Sequence, residues 1–128
     1  MKKLMNKKGF TLMEMLIVVA IIVILVAVSI PTFTSQLDNA KKATDDANLR
    51  AAKAIANTNE MLEGWNEYAT TSGDTTTAYS GDLYYDVDSG KFVKDQSVAD
   101  KGQSSANSAK YIKITLTDGK MTAAPDWK

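Results

Sequence analysis

No cysteine occurs among the 128 residues, so this chain can build no disulfide, thiolate metal site or cysteine nucleophile. Histidine is absent as well, which removes the commonest general base and most transition-metal ligation. Carboxylate chemistry stays open in principle, but no catalytic constellation is present. The reading is therefore a protein that is not an enzyme, with no cofactor and no metal site. A small exported domain without disulfides must be stabilised in another way, for example by packing in an assembly. Charge of one sign is lacking too, with 15 basic residues against 15 acidic ones. That balance does not favour a nucleic-acid-binding face, although a local patch is compatible with it. The balance hides an asymmetry. Lys2, Lys3, Lys7 and Lys8 stand in residues 1–9 with no acid among them, so the remainder carries 11 basic against 15 acidic side chains.

What the chain does have is apolar residues crowded at one end. Fourteen of the 21 residues from Phe10 to Ile30 are Phe, Leu, Ile or Val, and residues 16–28 contain no polar side chain. As a helix this stretch is about 31 Å long, which matches the hydrocarbon thickness of a bilayer. Its apolar side chains favour insertion by roughly 4–8 kcal/mol in total. Glu14 opposes this by up to roughly 3 kcal/mol, and less near the helix end. Insertion wins. Lysines just before the run predict a cytoplasmic N-terminus, with everything after Pro31 outside.

Beyond Pro31 the spacing predicts that the helix continues to residue 69. Phe33, Leu37, Ala40, Thr44, Ala47, Ala51, Ala54, Thr58, Leu62, Trp65 and Ala69 recur at steps of three and four, one face of a helix. Alanine dominates it from 40 to 54, and a bulkier core is expected at Ile55, Met61, Leu62 and Trp65. Residues 70–81 and 95–109 read as exposed polar loops. Leu83, Tyr85 and Val87 alternate with polar neighbours as a strand, Asp88-Ser89-Gly90 is a turn, and Lys91–Lys94 returns. Ile112, Ile114 and Leu116 form a second strand, which Asp118-Gly119 turns toward Lys120–Ala123. The fold class is α+β: a long N-terminal helix packed against a small antiparallel sheet of three to four strands. The expected parts are 1–9, 10–30, 31–69 and 70–128.

The junction Lys7-Lys8-Gly9-Phe10-Thr11-Leu12-Met13-Glu14, opening an apolar helix that later meets Pro31, resembles the processing signal of type IV prepilins and the related pseudopilins. That resemblance is specific over residues 1–35 and architectural beyond. It implies a leader removed by a prepilin peptidase cutting between Gly9 and Phe10, with methylation of the new Phe10 amine. It implies that Glu14 attracts the Phe10 amine of an adjacent subunit, and that Pro31 is a kink point. It also implies an inner-membrane assembly platform, a homopolymer with other pilins, and passage from cytoplasmic membrane to an extracellular pilus. Val23 stands where many family members carry glycine, so local unwinding there is disfavoured. Cysteine-free heads resemble those of Gram-positive pilins.

Other readings compete. One is a pseudopilin of a type II secretion or competence machine, separated from a pilin by the length of the filaments that contain it. A secreted binding protein cleaved after Ser29 is another, set against by Glu14 and by the helix pattern running across that cut. An unprocessed single-pass anchored domain is a third. Asp86-Val87-Asp88-Ser89-Gly90 looks like a calcium loop, but its sixth and twelfth positions are Lys91 and Ser97, so a hairpin turn is preferred. Asp118 and Asp126 are weaker calcium candidates. Trp65, Tyr84, Tyr85, Tyr111 and Trp127 are read as packing residues rather than a ligand surface. Adhesion, motility and DNA uptake are set by partners and by the head surface.

Overall fold

The computed structural model describes Gly9 and residues 11–128, and the chain divides between Leu37 and Asp38 into two compact units. Helix α1 runs Leu12–Met61, first through the apolar run and then through the alanine-rich segment. Six strands follow: β1 Thr70–Ser72, β2 Thr75–Thr77, β3 Gly81–Asp86, β4 Lys91–Val93, β5 Ile112–Thr117 and β6 Lys120–Trp127. β1 and β2 pair as a separate hairpin, and the other four form an antiparallel sheet in the order β4-β3-β5-β6. This is the expected α+β arrangement.

The helix is shorter than its periodicity predicted. It stops at Met61 because Glu63 takes the left-handed conformation, φ 54°, and reverses the chain into a 3-10 turn over Gly64–Tyr68. A Cβ at Gly64 would come within 2.7 Å of the Asn59 amide oxygen and 3.2 Å of its Cα, so a larger residue would require Asn59 to shift and glycine eases this close return. Trp65 is thereby carried into the core at 1% exposure, its indole N–H donating to Glu60 at 2.8 Å.

The buried stripe of the helix is also displaced from the predicted one. Asp45, Ala52 and Ala56 have no exposed surface, and Leu49 and Ile55 are partly covered. Ala40, Thr44, Ala47, Ala51, Ala54, Thr58 and Leu62, expected to face the core, are exposed. Counting apolar residues chose the wrong face because the true one includes polar Asp45, Asn48 and Asn59. Ile55 and Trp65 do join the core, whereas Met61 and Leu62 stay 82% and 75% exposed.

Against Ala52 and Ala56 the sheet lays Leu83 and Tyr85 of β3, Phe92 of β4, and Ile112, Ile114 and Leu116 of β5. Small alanines allow the sheet to approach closely, and each buried Leu or Ile stabilises by about 1.5–3 kcal/mol. Phe92 packs edge-on to Trp65 at 5.7 Å and tilted to Tyr85 at 5.4 Å. Tyr84 and Tyr111 are half-buried and meet edge to face at 6.0 Å. The two main turns have the expected chemistry. Gly90 has positive φ in the β3–β4 loop, and Asp118 (φ 51°) with Gly119 (φ 72°) make the two-residue link of β5 to β6.

Both segments expected as exposed loops are corrected. Residues 70–77 form the β1–β2 hairpin, every residue of it exposed. Residues 95–109 are anchored rather than free. Ala99 and Ser104 are buried, and Asp45 receives the Gln103 amide (2.7 Å), the Ser104 amide (3.0 Å), the Ser104 hydroxyl and the Asn107 side-chain amide (3.1 Å). Asp38, two helical turns earlier, receives the Ser105 amide at 2.8 Å and its hydroxyl at 3.0 Å.

Candidate assembly site

The candidate residues of the junction meet α1 at its first turn. Thr11 is the residue before the helix, and Glu14 lies in the opening turn. The Thr11 hydroxyl accepts the Glu14 backbone N–H at 3.2 Å, and Glu14 Oε2 accepts the Thr11 N–H at 3.2 Å. This is a reciprocal capping box, which satisfies two backbone donors that the start of a helix otherwise leaves free. The carboxylate also sits at the positive end of the helix dipole. Gly9 is exposed and non-helical. Phe10 lies outside the described residues.

Above this turn, among the described residues, the apolar stretch of the helix is uncovered. Its large apolar side chains from Leu12 to Phe33 range from 39% exposed at Met15 to 79% at Leu12. It is long and apolar enough to cross a membrane, and its most apolar 18-residue window has no buried residue. Such a surface must be covered by lipid or by other helices.

Pro31 lies within the helix. It has no N–H to give the carbonyl of Ala27, which is where helices kink. Neighbouring hydroxyls turn back on the backbone, Ser29 to the Leu25 carbonyl at 2.6 Å, Thr32 to Val28 at 3.2 Å and Thr34 to Ile30 at 3.0 Å. Glu14 and Pro31 share one element but are not brought together, being about 25 Å apart along a helix axis. Val23 is helical and exposed. Reasoning from the sequence gave Thr11 no role, although the T-x-x-E spacing ahead of an apolar run is itself a capping signal.

Comparison with known proteins agrees with this geometry. Residues 4–30 match the family described as the prokaryotic N-terminal methylation motif. The chain is 40% identical over 84 residues to the type IV narrow pilus major component PilA5 of Thermus thermophilus, an alignment that covers 58% of this chain and 72% of that protein. The chain belongs to the type IV pilin family. As a pilin it is a pilus subunit, a structural component that associates with other pilins, and its apolar helix fits a membrane-anchored precursor and a surface pilus. No solved structure matches this pilin.

Proposed function

We propose that this pilin is a filament-building subunit processed between Gly9 and Phe10, methylated on the Phe10 amine, and polymerised through α1. Residues 1–9 leave as a leader at the hands of a prepilin peptidase. Residues 10–30 serve first as a membrane span with the N-terminus inside, and then as filament core. Glu14 draws in the Phe10 amine of another copy at the assembly platform, and Pro31 gives the helix a bend point. The observation that carries this reading is a carboxylate fixed at the first turn of a helix whose large apolar side chains from Leu12 to Phe33 are exposed among the described residues. A carboxylate in an apolar surround is costly until a cation joins it, so pairing with an amine favours docking in one register where apolar contact alone is indifferent.

The test is the N-terminal sequence and intact mass of the mature protein in a sheared surface fraction. A start at Phe10 bearing one added methyl group is expected. A start at Ile30 would mean ordinary secretion and would remove any assembly role for Glu14.

A further inference from the structure

Glu14 is engaged before any partner arrives. Its Oε2 holds the Thr11 N–H, while Thr11 holds the Glu14 N–H through its hydroxyl. Among the described residues nothing is bonded to the other oxygen, Oε1. A glutamate in the open has three rotatable bonds to fix when it meets a cation, and fixing them opposes binding. Here the capping box fixes them beforehand.

We propose that Thr11 is the positioning residue of the assembly contact, presenting Glu14 with one oxygen anchored to its own helix and the other open to an incoming amine. This rests on the reading of Glu14 given above. Thr11 acts through Glu14 and does not itself touch the partner's amine.

The experiment uses the full chain with Thr11→Val, Thr11→Ser and Glu14→Gln. The fraction of mature chain in sheared filaments is measured against the membrane pool, and every variant is N-terminally sequenced. Amide exchange at residue 14 is followed on the processed chain in detergent. Valine keeps the shape of threonine but has no hydroxyl, so the filament fraction should fall roughly fivefold, the effect of losing one helix cap. Exchange at residue 14 should rise with it. Serine restores both. Glutamine fills the same place in a capping box without the charge, so Glu14→Gln should keep slow exchange and still lose filaments.

Thr11→Val assembling like the unaltered chain overturns the proposal, and so does Thr11→Ser failing as badly as valine. Accumulation of uncut precursor in Thr11→Val also overturns it, because Thr11 would then act in cleavage. The two readings are separable. Normal assembly of Glu14→Gln overturns the amine pairing itself, whereas its failure beside a normal Thr11→Val overturns only the role of Thr11.

Discussion

Asp45 is a carboxylate with no exposed surface, and it persists because four hydrogen bonds from three residues converge on it. Burial alone would raise its pKa, but the bonds from Gln103, Ser104 and Asn107 outweigh burial and hold it below the ordinary 3.8. Asp38 is lowered too, first by the Ser105 amide and then by Lys42 at 3.2 Å. A group whose folded pKa is depressed contributes stability above its unfolded value and loses it as pH falls through the folded one. The stability that these two carboxylates contribute should therefore be present above about pH 4, and the head's melting temperature should drop on further acidification. Asp45→Ala strands buried amides and should cost about 2–4 kcal/mol at neutral pH, with a shallower acid limb, both read from thermal unfolding of the detergent-solubilised chain. Asp45 was not legible in the sequence. It resembled any solvated helix charge, because its donors lie 58 to 62 positions further along.

Among elements, legibility followed apolar alternation. Ile112–Thr117 was read with its observed bounds because three buried apolar residues alternate with polar ones, and alternation also found β3, while β4 was read as the return from the Asp88-Ser89-Gly90 turn. The hairpin at 70–77 has no apolar residue to alternate, so only the β-favouring threonines and the Gly73-Asp74 turn marked it. The last turn of α1 failed for another reason. Periodicity carried on through Leu62 and Trp65, but Leu62 only continues the exposed face of Ala51, Ala54 and Thr58. Glu63 in a left-handed conformation ends the helix and turns Trp65 inside. A non-glycine residue there is strained by about 1–2 kcal/mol. Glu63→Gly should relieve most of that while loosening the unfolded chain, a net gain of about 0.5–1 kcal/mol measurable as a raised melting temperature. An unchanged or lowered midpoint would mean that the left-handed turn is not strained in the folded head.

For the whole molecule, the core members all lie between Ala52 and Leu116, within the unit that begins at Asp38. A chain cut to Asp38–Lys128 should therefore fold as a soluble monomer. Buried Trp65 fluorescence and a cooperative melt would show it, whereas a disordered or aggregated fragment would tie the head's stability to the apolar helix. The N-terminal motif at residues 4–30 was legible in the sequence because its residues stand beside one another in the chain. The placement of the head's polar segments was not, since it depends on groups far apart in sequence that meet only in the folded head.

The order β4-β3-β5-β6 has a temporal consequence. β5 is central to the sheet, paired on both sides, yet it comes from residues 112–117. A chain made from its N-terminus onward has its helix and the β3–β4 hairpin long before the strand that joins them to β6. Until then the core around Leu83 and Tyr85 lacks Ile112, Ile114 and Leu116. A prematurely terminated chain lacks the strand that joins β3 to β6, and the sheet stays open until the last residues of the head are made.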